Sequence, residues 1–216
     1  MYRQTIIVIV AMLLALLTSS SMAQKLHFKS FSAATMPAVI KTQVKGQLNA
    51  GLRWSDRLGE NYAVFSTVSA KRHDGFTDNS VFLQAKHFTV VEGKAKLVRF
   101  IRELKACPDF DNVTRFVNSS IGVTDLDNDG YGELSFVYFT DCVSDVSPYA
   151  AKLMLLENGK KFPIRGFVKY VFGADTAPSE YKLGREFNNA PAAFKAFALK
   201  LWARRAVVDV NAALPR

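Results

Sequence analysis

The chain is 216 residues long, with 28 Lys and Arg against 19 Asp and Glu for a formal charge of +9. That length suits one domain with a real core better than two. The basic residues are scattered, which favours anionic surroundings such as the acidic sugars and lipid phosphates of a cell envelope. No helix-turn-helix, RNA-binding or zinc-finger pattern supports nucleic acid as a partner.

In chain order, Met1 to Ala23 reads as a secretory signal peptide. Arg3 supplies a positive start, Ile6 to Leu17 is an apolar run, and Thr18 to Ala23 is a small-residue cleavage region. The apolar run is well short of the ~20 residues of a spanning helix. Cleavage after Ala23 leaves 193 of the 216 residues, Gln24 to Arg216, and takes the formal charge from +9 to +8 by removing Arg3. The expectation is an exported protein, periplasmic or secreted, with no transmembrane segment after signal removal and a single domain over 24–216.

Leu48 to Ser55 and Tyr62 to Ala70 flank the turn Asp56 to Glu60 and predict a hairpin, and Val81 to Val91 predicts a third strand. Lys94 to Lys105 is ambiguous. Leu97, Ile101 and Leu104 fit a helix face, while Leu97-Val98 and Phe100-Ile101 equally fit a buried strand. Cys107 and Cys142 are the two cysteines. An even count in a chain expected to enter an oxidising compartment predicts a disulfide, because the spacing and partners of a thiolate metal site are missing.

Between the cysteines lies Ile121 to Phe136, IGVTDLDNDGYGELSF, with Asp125, Asp127 and Asp129 at alternate positions ahead of Gly130. Carboxylates at positions one, three and five of a tightly curled loop can point at one centre, as a hard cation with six to eight oxygen ligands requires. The Tyr131 carbonyl then falls at position seven. Glu133 falls at position nine, able to close the shell directly or through a water. Phe136 stands where an EF-hand carries its closing Glu, so the loop is not an EF-hand. A plain Asn128-Asp129-Gly130 turn is the alternative, but it gives no reason to crowd four acids together. Calcium is the expected ion, held by Asp125, Asp127, Asp129, Tyr131 and Glu133.

Leu134 to Phe139 continues as a strand. Lys152 to Leu156 and Phe162 to Tyr170 predict two more, joined across Asn158-Gly159, the strongest short hairpin signal in the chain. Ala190 to Ala206 places Phe194, Phe197, Ala198, Leu201 and Trp202 at helical spacing behind Pro191, predicting an amphipathic helix packed on a sheet. The fold class expected is α+β, one β-dominated domain of antiparallel strands closed by a C-terminal helix.

Catalytic patterns are thin. His27, His73 and His87 have no metal-ligand spacing and read as exposed histidines, and no GxSxG elbow exists. Asp141 and Asp145 are the most enzyme-like pair. Four residues apart on a strand they are separated by roughly 13 Å, and only a turn brings them to the spacing a glycosidase needs. Shaping the loop Ser144 to Pro148 is the simpler role for them. Arg165-Gly166 reads as a surface or salt-bridged Arg beside a bulge glycine, against an Arg that binds a carboxylate or phosphate.

The run Val123 to Gly130 is followed by Asp141-Cys142, Ser144 to Pro148, Lys152 to Gly159 and Ile164-Arg165-Gly166. This ordered set resembles a little-characterised family of exported bacterial proteins associated with surface polysaccharide biosynthesis, over roughly the second half of the mature chain plus the C-terminal helix. The acidic loop alone is similar to the calcium loops of FG-GAP and VCBS repeats, although a single loop in 193 residues does not make a propeller. The resemblance implies a cell-envelope role and supplies no reaction. The expected function is therefore a non-catalytic, calcium-binding envelope protein that assists surface polysaccharide assembly or binds an anionic surface glycan. The alternative is a hydrolase or transferase acting on an acidic glycan.

Overall fold

The computed structural model describes residues 26–69, 79–145, 147–172, 175–176 and 179–209. The expected signal peptide and His73 lie outside them. Five strands form a first antiparallel sheet in sequence order: β1 (Phe28–Phe31), β2 (Gln47–Asp56), β3 (Gly59–Ser69), β4 (Ser80–Val91) and β5 (Lys94–Ala106). The ambiguous segment 94–105 is thus a strand. Val98 and Phe100 are only half-buried and Leu97 and Leu104 are exposed, because β5 is an edge whose partner lies on one side alone.

After the two-residue β6 (Asp111–Asn112) come β7 (Arg115–Thr124), β8 (Glu133–Phe139), β9 (Cys142–Val143), β10 (Ala150–Glu157) and β11 (Lys160–Phe167). Further on lie β12 (Lys169–Phe172), β13 (Asp175–Thr176), β14 (Tyr181–Leu183) and β15 (Val207–Asp209). The second sheet has the order β14-β11-β10-β8-β7, all antiparallel. Asn158 and Gly159 both take positive φ, 41° and 76°, so the β10–β11 connection is the expected two-residue hairpin. The single strand expected over 162–170 is two: the chain leaves β11 after Phe167, and β12 joins β13 and, in parallel, β15.

The two sheets pack face to face. Their shared core holds Leu52, Trp54, Phe65 and Leu83 of the first sheet against Phe116, Leu134, Phe136 and Met154 of the second. β8 is buried along its whole length because the second sheet is covered on both faces. Its outer face, with Val137, Leu153, Leu155 and Ile164, receives Phe194, Ala198 and Trp202 of α2 (Ala192–Arg205). Those three residues recur every fourth position and so share one helix face. The outer face of the first sheet, with Tyr62, Val64 and Phe88, is closed by Ile40 of the short α1 (Ala38–Lys41). The molecule is a β-dominated α+β fold, as its sequence pattern predicts.

Cys107 and Cys142 are bridged, joining the end of β5 to β9, which follows β8 in the chain and pairs with β6 in a small two-stranded sheet.

Candidate metal centre

The acidic loop is the β7–β8 connection, closed by the pair Thr124–Glu133 at its base. Asn128 (φ 59°) and Gly130 (φ 82°) turn the chain sharply between them. Two acids curl the loop from within: Asp127 Oδ1 accepts the Asp129 N–H at 3.3 Å, and Asp129 Oδ1 accepts the Tyr131 N–H at 2.8 Å.

The first sheet grips the loop from outside. Arg57, at the β2–β3 turn, donates its backbone N–H to the Gly130 carbonyl at 2.9 Å and its guanidinium to the Asp129 carbonyl at 3.0 Å. The same guanidinium lies over the Tyr131 ring at 4.7 Å. Next to it, Asp56 accepts from Trp54 Nε1 at 2.8 Å and from the Gly132 N–H at 2.9 Å. Gly132 has to be glycine, since a Cβ there would meet Trp54 Nε1 at 2.7 Å.

Carboxylates converge inside this frame. One oxygen each of Asp125, Asp127 and Glu133 lie within 4.8 Å of one another, and so do oxygens of Asp127, Asp129 and Glu157. A cation about 2.4 Å from each ligand spans such separations, so these clusters can hold a metal ion. Glu133 is fully buried; its Oε2 accepts from Thr124 Oγ1 and from the Leu126 N–H, both at 2.9 Å. Its Oε1 has no hydrogen-bond partner, and neither has Oδ1 of Asp125, a residue only 5% exposed. Two buried carboxylate oxygens left unsatisfied on residues of one acidic cluster is an expensive arrangement for a protein without a cation.

The electrostatics agree. Burial pushes the Glu133 carboxyl up to about 8, against the pull of its two hydrogen bonds and with Asp127 and Glu157 adding to the rise. Burial, then Asp129 and Asp127, pushes Glu157 up to about 7, with Lys160 opposing. Asp127 is raised by burial and by its acidic neighbours. A divalent cation would reverse each of these penalties.

All four acids of the expected set therefore meet, but as two overlapping triads sharing Asp127. Glu157 is the member that the loop spacing does not contain. It enters from the end of β10, where the pairing of Leu156 with Leu134 lays it beside Glu133. An acid directly before Asn158-Gly159 is the one trace of it in the sequence.

The other sequence candidates fall elsewhere. Asp141 pairs with Lys105 at 3.1 Å and accepts the N–H groups of Ala150 and Cys142. Burial works to raise its carboxyl, but these hydrogen bonds outweigh it and hold the group below its ordinary value. Asp145 caps the Ser147 N–H at 2.8 Å, so both acids shape their own loop. His27 is exposed as expected, but His87 is buried, 2% exposed. Its Nε2 is 2.9 Å from Asn61 Oδ1 and its ring packs on Trp54. Gly166 sits in unbroken register between Ala151 and Tyr181, not in a bulge. Comparison of the chain with protein-family models, curated proteins and solved structures finds no match.

Proposed function

We propose that this chain is an exported, non-catalytic calcium-binding protein of the cell envelope that assists surface polysaccharide assembly or holds an anionic surface glycan. The observation that carries the calcium reading is the pair of buried, unpartnered oxygens, Glu133 Oε1 and Asp125 Oδ1, in one cluster with Asp127. An all-oxygen set of five carboxylates suits a hard cation, and the loop spacing offers the Tyr131 carbonyl at position seven as a further oxygen. The glycan role rests on the family resemblance and on the basic surface. No helix among the described residues is long and apolar enough to cross a membrane.

The test is a melting curve. With a Kd near 10⁻⁴ M, typical of extracellular modules, ~1 mM free calcium stabilises the native state by RT ln 11, about 1.4 kcal/mol. That is about 3–5 °C in a domain of this size. Asp127→Ala should abolish most of the shift, and Asp145→Ala should leave it intact. Identical wild-type curves in excess chelator and in millimolar calcium would reduce the acidic stretch to an ordinary turn. Turnover of an acidic glycan that vanishes on Asp141→Asn would replace the binding role with an enzymatic one.

A further inference from the structure

A second feature lies on the opposite edge of the second sheet from β7. Strand pairing sets Lys152 of β10 directly across from Arg165 of β11, and Arg165 directly across from Lys182 of β14. Residues paired this way share a face, so three cations stand in one row across three neighbouring strands. Like charges placed directly opposite are destabilising, and the row carries almost no compensation. Lys152 alone is neutralised, by Glu103 of β5 at 2.6 Å. Arg165 and Lys182 have no ion-pair partner among the described residues.

Three hollows lie along β11. The middle one, about 230 Å³, opens between β5 and the β10–β11 hairpin and adds Arg102 and Lys161 to Lys152 and Arg165. Lys161 also lines a hollow of about 410 Å³, with Arg99 and Lys160. Arg165 also lines a hollow of about 710 Å³, together with Phe167 and Lys182. Against the seven cations stand Glu103, Glu180 and Glu186, and Glu103 is already engaged by Lys152 and the Tyr138 hydroxyl. Arg99 donates to the Gly159 carbonyl, yet its Nε is buried without a partner. Phe167, on the same face of β11 as Arg165, is 46% exposed and presents apolar ring surface at one end. On the face of Arg165 the strip follows β11 from Lys161 to Phe167, about 20 Å at ~3.3 Å per residue.

We infer that this strip is the docking groove for a linear acidic polysaccharide, one bearing carboxylate or phosphate groups along its length. The charge row supplies the complement to regularly spaced anions. The exposed ring of Phe167 suits the apolar face of a sugar ring. This inference rests on the proposed binding role and gives it a ligand class and a place. It needs no metal, because none of the residues that line it belongs to the acidic cluster.

Hyaluronan, a linear carboxylated polysaccharide, is the probe, with neutral dextran and oligo-thymidylate as comparisons, titrated against the whole mature chain. Hyaluronan should bind and dextran should not, and affinity should fall at least tenfold between ~50 and ~300 mM NaCl as the exposed charges are screened. Arg165→Glu combined with Lys182→Glu should cost at least tenfold in affinity while the calcium shift in melting temperature persists, which shows the variant folded. Lys195→Glu with Lys200→Glu, on exposed positions of α2, should change affinity less than twofold. Equal losses in both double variants would mean that net charge alone binds the polymer. That result would overturn the inference, as would undiminished binding by the Arg165/Lys182 variant or tighter binding of oligo-thymidylate. Absence of a calcium shift with hyaluronan binding intact would sink the metal site and leave the groove standing.

Discussion

Glu133 is fully buried, carries one satisfied and one unsatisfied oxygen, and has its carboxyl pushed up to about 8. A carboxyl whose folded value lies above its unfolded value takes up a proton on folding. It therefore stabilises the fold at low pH and loses that contribution as the pH rises through the folded value. His87 acts in the other sense. Burial holds it down to about 4 against the pull of Asp56, so its contribution is present above its unfolded value near 6.5 and lost below. Between about pH 6.5 and 8 the acids alone act, and the melting temperature of chelator-treated protein should fall across that window. Glu133→Gln mimics the protonated group. In chelator at pH 8 the variant should melt no lower than wild type, yet respond only weakly to calcium. A variant that melts lower in chelator and keeps the full calcium response would make Glu133 a packing residue. Asp125, Asp127, Asp129 and Glu133 were legible as a set because their spacing lies within one loop. Glu157 was not, since its place depends on β10 pairing with β8, and nothing local to residue 157 specifies that register.

At the scale of elements, the hairpins and the C-terminal helix were readable because their signals are local: Asn158-Gly159 for one, apolar spacing for the other. Segment 94–105 was not, because an edge strand mixes exposed Leu97 and Leu104 with half-buried Ile101, and that mixture mimics helical periodicity. The break at Val168 was hidden for a different reason. Val168 is fully buried and its N–H bonds the Tyr149 carbonyl, so it looks like any strand residue while the chain changes sheets around it. Helix α2 is docked chiefly through Phe194, which is fully buried against the Phe162 ring at 5.2 Å. Phe194→Ala should cost about 3–5 kcal/mol, roughly 10 °C in melting temperature. Phe197→Ala, at a half-buried position on the same helix, should cost much less. Thermal melts of the two variants compare them directly, and equal losses would show that the helix does not seat on that face.

For the molecule as a whole, the disulfide and the acidic loop sit at opposite ends of β8, seven residues or about 23 Å apart. The bridge ties the end of β5 to β9 just beyond β8, and the loop ahead of β8 is held to the first sheet through Arg57 and Asp56. Chain-entropy arithmetic for the 35-residue separation gives at most about 3.8 kcal/mol for the bridge. Fasteners this far apart should act additively, within about 0.5 kcal/mol. Denaturant unfolding with chelator, with reductant and with both should show it, and a coupling well beyond that value would mean the two ends communicate. Additivity has a consequence for the proposed route of the chain. On that route a reducing cytosol poor in free calcium would withhold both the bridge and the ion, leaving the newly made polypeptide at most about 5 kcal/mol short of its final stability and easier to keep unfolded for translocation. Oxidant and calcium on the far side would supply both at once, and the fold would lock only after arrival.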